Sequence, residues 1–320
     1  MTDKFKNISG QQENQTGSEE KHPEKDEHFL ISPVIAGFAG LIGCFFLYQI
    51  AGGLLTVLVF GFDLESAPIQ GLRLMTVGGQ ILFILLPALL LAKLFYIDAG
   101  RVIKIRIPDW REILLFVLGL IILIPLLQSY MYIQNYFIDI VSNQSEFIRN
   151  LKSLLDSFNE LIEKTYGNLL RKDSFLEGIF VIFVIAVVPA VSEETLFRGF
   201  VQKSFEFKWK PFTAIFITAV FFAGYHFNPY GLIALITLGM FFGMASYLSN
   251  SLIIPFILHF LNNLTAITVY FISGDDELIS SDAVDPANLP EQLLSFFFLL
   301  LLFLSILFLI KKYYSRIKLT

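Results

Sequence analysis

Long apolar stretches alternate with short polar segments along most of the chain. A helix needs about 20 apolar residues to cross the hydrocarbon core of a bilayer, and eight stretches come close to that length or exceed it. They cover residues 31–60, 74–96, 112–136, 175–203, 211–228, 231–248, 251–272 and 292–311. The pattern predicts an all-α protein, a polytopic transmembrane helix bundle of about eight spans.

The segment 138–174, between the third and fourth spans, has a different pattern. Its apolar residues recur at the spacing of one helix face, with charged residues between them. The apolar positions are Phe147, Leu151, Leu154, Leu155, Phe158, Leu161, Ile162, Tyr166 and Leu169. We expect an external amphipathic helix here, lying either on the outer leaflet or across the mouth of the bundle. It is either a surface helix without a catalytic role or a lid that filters substrates.

Proline, glycine and asparagine set the local geometry of the later spans. Pro189 lacks a backbone N–H and is predicted to bend the fourth span. The tripeptides at 228–230 and 249–251 are predicted to form tight turns, which make the fifth, sixth and seventh spans antiparallel neighbours. Gly239 and Gly243 form a Gly-x-x-x-Gly pair, which indicates close helix packing.

The same pattern divides the chain into five segments. Residues 1–28 are polar and are predicted to form a disordered tail. Residues 29–137 form a three-span region and 138–174 the extramembrane segment. Residues 175–272 form the core that carries the candidate chemistry, and 273–320 hold an acidic loop and the last span.

Composition agrees with a membrane protein. The chain is 55% hydrophobic and only 16% charged, whereas soluble domains carry about 25% charged residues. Its single cysteine, Cys44, excludes an intramolecular disulfide framework and a cysteine-rich metal site, and we expect it to pack among apolar residues. Composition therefore predicts the lipid bilayer as a partner and no nucleic acid.

Basic residues predict the orientation. Lys and Arg concentrate in the segments 97–111, 203–210 and 311–318, while the loop 273–290 carries acidic residues and no Lys or Arg. Basic loops stay in the cytoplasm. We therefore expect a multi-pass protein of the cytoplasmic or plasma membrane with both termini in the cytoplasm.

Three polar clusters interrupt the apolar spans, at residues 193–198, 222–226 and 259–263. An ionisable side chain at membrane depth costs about 2.5–3.5 kcal/mol on insertion scales, and such groups usually have a function. A helical rise of about 1.5 Å per residue places all three clusters at a similar depth. The sequence therefore predicts that they meet in one site.

Helical spacing assigns a geometry to each cluster. Glu194 and Arg198 are four residues apart, so they share a helix face and are expected to pair. Glu193 is turned about 100° away from that pair and is expected to be free for chemistry. His259 and Asn263 likewise share one face.

Two mechanisms of peptide hydrolysis fit these groups. In the first, Glu193, His226 and His259 bind a divalent metal such as zinc, which leaves an open position for an activated water. In the second there is no metal. Glu193 and His226 deprotonate a water, while His259 and Asn263 donate hydrogen bonds to the oxyanion. The second mechanism is favoured because it leaves Glu193 free to act as a base, whereas the first uses that carboxylate as a metal ligand.

The three motifs resemble those of a known family. Glu-Glu-x-x-x-Arg at 193–198, Phe-x-x-x-His at 222–226 and His-x-x-x-Asn at 259–263 are similar to the signature motifs of the CPBP intramembrane proteases. That family includes the type II CAAX prenyl endopeptidases and the bacteriocin self-immunity (Abi) proteins. The resemblance covers residues 175–272.

The resemblance implies an eight-helix bundle, or close to it. Glu193 would be the catalytic carboxylate, and His226 would assist it in catalysis. His259 and Asn263 would line the oxyanion site. The Glu and Arg that pair in the first motif would orient that motif and meet the C-terminal region of the substrate.

The leading hypothesis is an intramembrane endopeptidase that cleaves a membrane-associated substrate, either a CAAX-type protein or an exported peptide. A second hypothesis is a non-catalytic membrane scaffold or bacteriocin-immunity protein. A third is a small transporter or proton-coupled channel, since buried ionisable groups also form proton relays. Paired interrupted spans would favour a transporter, and the sequence has a single interruption.

Overall fold

The computed structural model describes residues 30–63, 66–273 and 285–317. Within these residues the protein is helical and contains no strand, so the all-α prediction is confirmed. The helices are α1 (Pro33–Phe60), α2 (Ile69–Phe95), α3 (Trp110–Gln144), α4 (Glu146–Leu170), α5 (Phe175–Glu206), α6 (Pro211–Tyr225), α7 (Leu232–Ser249), α8 (Ile253–Ser273) and α9 (Leu289–Ile317). The predicted tail 1–28 and most of the acidic loop lie outside the described residues.

Seven of the helices in the described ranges are long and apolar enough to cross a membrane, namely α1, α2, α3, α5, α7, α8 and α9 with the short turn before it. The polytopic helix bundle is therefore confirmed. The exception among the predicted spans is α6, which has 15 residues and ends at Tyr225 instead of continuing to residue 228. It ends there because the chain turns, with Phe227 at a positive φ of 51°.

Two packed groups of helices form the core. One group joins α1, α2, α5 and α6 around Phe197, Phe200 and Phe205. The other joins α3, α7, α8 and α9 around Phe116 and Phe242. Cys44 is buried in the first group, as expected.

Hydrogen bonds between helix ends show which loops share a face of the bundle. On one face, Tyr96 donates to Ser204 at 2.6 Å, and Tyr314 donates to Glu112 at 2.6 Å. The Leu252 N–H donates to the Lys104 carbonyl there as well. This is the basic face, made of the segments 96–111, 206–211 and 249–253 and the end of α9. The other end of the bundle carries α4.

The small residues of α7 let neighbouring helices come close, as predicted. A Cβ on Gly239 would lie 3.1 Å from the Ala219 Cβ of α6. The glycine carbonyls face α5, where Arg198 donates to Gly239 at 3.2 Å and Gln202 donates to Gly243 at 3.0 Å. Buried polar groups of α5 thereby find partners on α7.

The amphipathic helix α4 lies across the mouth of the bundle. It begins at Glu146, later than the predicted boundary at 138, because α3 continues to Gln144. The buried Arg73 of α2 donates to the carbonyls of Leu169 and Arg171 at the C-terminal end of α4. These bonds hold that end over the bundle.

Candidate active site

A cavity of about 500 Å³ lies between the two packed groups and beneath α4. Four predicted site residues line it: Glu193, His226, His259 and Asn263. Most of the remaining wall is apolar, including Ile124, Leu127, Met131, Ile162, Leu169, Leu170, Ala234, Leu235, Leu238, Ala266 and Ile267. The structure thus brings three distant polar clusters to one largely apolar chamber.

Glu193 is the carboxylate that reaches the cavity. Its oxygen Oε1 accepts a hydrogen bond of 2.9 Å from Nε2 of Gln80 on α2. Its oxygen Oε2 is buried without a hydrogen-bond partner among the described residues and lies 4.0 Å from Nε2 of His259. One oxygen is therefore fixed, and the other faces an imidazole across a gap too long for a direct hydrogen bond.

Glu194 points away from the cavity into the protein. Its Oε1 accepts from Arg198 Nη1 and from His259 Nδ1, each at 2.8 Å. The side chains of both members of the predicted Glu194–Arg198 pair are 0% exposed. The Glu194–Arg198 pair therefore holds the His259 ring in place. The spacing within one motif cannot predict this contact, because it joins two different helices.

Aromatic rings enclose the guanidinium of Arg198. It lies 4.3 Å from the centre of the Phe222 ring and 5.5 Å from that of Phe242. A cation over an aromatic face gains electrostatic stabilisation. Phe222 also lines the cavity and packs edge-on against His259, so the phenylalanine of the second motif shapes the site wall.

His226 follows the last residue of α6. Its Nδ1 lies 2.8 Å from the Phe222 carbonyl oxygen. A carbonyl only accepts, so Nδ1 carries the hydrogen in this contact, and in the neutral ring Nε2 carries a lone pair. The hydrogen bond thus selects the tautomer whose Nε2 accepts a proton.

Asn263 reaches backbone that Pro189 leaves unsatisfied. Pro189 has no N–H for the carbonyl of Ile185, four residues earlier. Asn263 Nδ2 donates to that carbonyl oxygen at 2.9 Å. An asparagine amide carries two N–H groups, so this bond uses one of them. Helical geometry also changes around Pro189, with π-helical turns at Phe183–Val187 and Thr195–Val201.

Two polar residues of the wall were not predicted from the motifs. Gln80 is 4% exposed and binds Glu193. Tyr166 of α4 also lines the cavity. Its hydroxyl is protonated at neutral pH and can donate a hydrogen bond there. Gln80 had a signal, a polar residue next to a strongly apolar run, whereas Tyr166 had none beyond its helical spacing.

Among the residues that the structure describes, no group of three or more His, Cys, Asp or Glu side chains is placed to hold a metal ion. Of the predicted ligands Glu193, His226 and His259, two face each other: the Glu193 Oε2 lies 4.0 Å from Nε2 of His259, whose Nδ1 is bound to Glu194. The metal-dependent mechanism stays a prediction.

Comparisons with known proteins bear on the same part of the chain. No curated protein and no solved structure matches the chain. One family model matches residues 175–265, which run from the start of α5 past Asn263 and contain all three motifs. That model describes the Rce1-like type II CAAX prenyl endopeptidases, and its match confirms the resemblance of this core to the CPBP intramembrane proteases.

Proposed function

We propose that the protein is a membrane-embedded endopeptidase that hydrolyses a peptide bond of a membrane-associated substrate. The observation that carries this proposal is the placement of Glu193, His226, His259 and Asn263 around one cavity. The match to a family model of prenyl endopeptidases over these residues supports it. An apolar chamber with a few convergent polar groups is also the usual form of a site for a small or extended ligand.

Glu193 is the proposed general base. Gln80 holds its Oε1, and a water bound to Oε2 would lie between the carboxylate and the imidazoles. Glu193 removes a proton from this water, His226 Nε2 accepts a hydrogen bond from it, and the oxygen attacks the scissile carbonyl. Glu193 then passes the proton to the leaving amine, so the reaction ends with a free acid and a free amine.

His259 and Asn263 are the proposed donors to the oxyanion. When His259 carries protons on both nitrogens, Nδ1–H remains on Glu194 and Nε2–H is available to the developing negative charge. The second N–H of Asn263 is the other donor. Donors fixed before the reaction lower its barrier because they need no reorganisation, and the bonds to Glu194 and Ile185 fix both side chains.

The apolar wall suggests the substrate class. Residues of α3, α7 and α8 provide aliphatic surface next to the polar groups. A peptide with a lipid group or an apolar segment beside the scissile bond would bury that group there. A farnesylated cysteine peptide with a CAAX-type end is therefore the first substrate to test, with the same peptide lacking the prenyl group as its comparison.

The test is cleavage of a fluorogenic farnesylated CAAX peptide by the purified full chain in lipid nanodiscs. We expect Glu193→Gln to lower turnover at least about 10²-fold, the loss of a general base, while Glu291→Gln, an exposed glutamate of α9, keeps the wild-type rate. A chelator should leave turnover unchanged. Undiminished cleavage by folded Glu193→Gln would refute the proposal.

A further inference from the structure

We propose that Gln80 of α2 is a positioning residue for Glu193, which holds one carboxylate oxygen so that the other faces the reacting water. This inference rests on the proposed function, and it adds a residue outside the region matched by the family model. The hydrogen bond from Gln80 Nε2 to Glu193 Oε1 is 2.9 Å long. It joins residues 113 positions apart in the chain.

The local structure of α2 brings Gln80 close to the site. Gly79 precedes it, and a Cβ at that position would lie 3.2 Å from the Tyr48 ring of α1. The small residue therefore lets α2 approach α1. A π-helical turn, Ile81–Leu85, starts directly after Gln80. Such turns are frequent at functional sites because they redirect a side chain without ending the helix.

The bonding pattern of Gln80 distinguishes positioning from packing. An amide that only stabilises the helix bundle would be expected to satisfy both its donor and its acceptor. Gln80 is buried, yet its Oε1 has no hydrogen-bond partner among the described residues. The side chain lines the cavity, so this acceptor is available to water or to a substrate N–H while the amide nitrogen holds the carboxylate.

The same hydrogen bond fixes the direction in which the other oxygen of Glu193 points. A donor to a carboxylate oxygen forms a strong, charge-assisted hydrogen bond. Without that donor, the Glu193 side chain should lose its fixed orientation, while the bonds that hold His259 and Asn263 do not involve Gln80.

The variants are Gln80→Met, which keeps the length but removes the donor, and Gln80→Glu, which adds a second carboxylate. For cleavage of the farnesylated peptide by Gln80→Met, we expect kcat to fall about tenfold, the loss typical of a hydrogen bond to a charged group, with KM little changed. In Gln80→Glu we expect kcat to fall at least as far, because an ionised carboxylate has no hydrogen to donate to Glu193.

Gln49→Met is the matched control. Gln49 of α1 is also a partly buried glutamine, and its amide donates to the Tyr225 carbonyl at 3.1 Å. Loss of that bond removes a similar amount of hydrogen bonding without touching the carboxylate. Its kcat and KM should stay at the wild-type values even if its stability falls.

The infrared spectrum provides a second readout that needs no substrate. The stretching band of the Glu193 side chain, identified as the one that disappears in Glu193→Gln, reports its hydrogen bonding, and its frequency should shift in Gln80→Met but not in Gln49→Met. If that frequency and kcat both coincide with the wild type in Gln80→Met, Gln80 does not position Glu193. If the wild type does not cleave the peptide, the proposed function fails, and the infrared band still decides the role of Gln80.

Discussion

Two adjacent glutamates have opposite surroundings in this protein. Glu193 lies at the cavity with a side chain 13% exposed, and one of its oxygens has no hydrogen-bond partner in the described part of the chain. Glu194 is fully buried, and one of its oxygens accepts from a guanidinium and an imidazole. Adjacent side chains of an α-helix point about 100° apart around the helix axis, so the two glutamates face different surroundings. The two carboxylates therefore suit different roles: in the proposed mechanism Glu193 is the base, and Glu194 supports His259.

The buried pair gives a prediction about stability. Arg198→Met should destabilise the protein by about 3–5 kcal/mol, because it leaves the buried carboxylate of Glu194 without its cation. The measurement is the free energy of unfolding in detergent, by denaturant titration. The double variant Glu194→Gln with Arg198→Met should recover part of the loss, since no uncompensated charge remains. Equal stability of the single and double variants would contradict this assignment.

The amphipathic helix α4 has two different apolar surfaces. Between residues 147 and 161 an apolar stripe is exposed, made of Phe147, Leu151, Leu154, Phe158 and Leu161. From residue 162 onward apolar residues line the cavity, namely Ile162, Leu169 and Leu170. The helix therefore covers the chamber with one part and exposes an apolar stripe along another, a pattern typical of helices that lie on a bilayer surface.

Polar contacts join α4 to the rest of the bundle, and three of them involve charged side chains. Arg73 binds carbonyls at its C-terminal end, where a cation also complements the helix dipole. Tyr230, in the turn before α7, donates to Asp156, and burial followed by that bond raises the pKa of the Tyr230 hydroxyl. Lys152 lies 3.4 Å from Asp139 of α3. Each contact joins α4 to a different part of the bundle.

Removal of the Arg73 contact should loosen one end of α4. In Arg73→Met we expect faster amide hydrogen exchange over residues 160–170. The end of α4 can then open without first breaking the hydrogen bonds from Arg73 to the carbonyls of Leu169 and Arg171. Exchange in α8 should stay at the wild-type rate. Arg149→Met, at an exposed arginine of α4 whose bond to Asn143 stays local, is the control. Unchanged exchange at 160–170 would show that the arginine does not hold the helix.

Hydrophobic periodicity predicted the helices well because helix formation in a membrane is a local property of the chain. It placed α7 and α8 to within two residues at each end. It missed the early end of α6, since the positive φ of Phe227 has no composition signal. It also missed the bonds from Gln80 to Glu193 and from His259 to Glu194, because contacts between distant helices depend on how the helices pack.

The cavity lies in the half of the bundle that carries α4. The α6 residues that line it, 222 and 226, lie at the end of that helix, and the α7 residues, 234–238, lie near the start of the next one. The basic loops lie at the opposite end. If those loops are cytoplasmic, as the positive-inside rule predicts, α4 covers the site on the external side, and an exported peptide reaches it more directly than a cytosolic protein.

Cysteine labelling tests this orientation and, with it, the substrate class. In a Cys44→Ser background, Ser153→Cys places a thiol on the exposed surface of α4, and Lys208→Cys places one on the basic face. We expect a membrane-impermeant maleimide to label Ser153→Cys in intact cells, and Lys208→Cys only after permeabilisation. The reverse pattern would overturn the predicted orientation. It would place α4 and the chamber toward the cytoplasm, where a prenylated CAAX protein could enter directly.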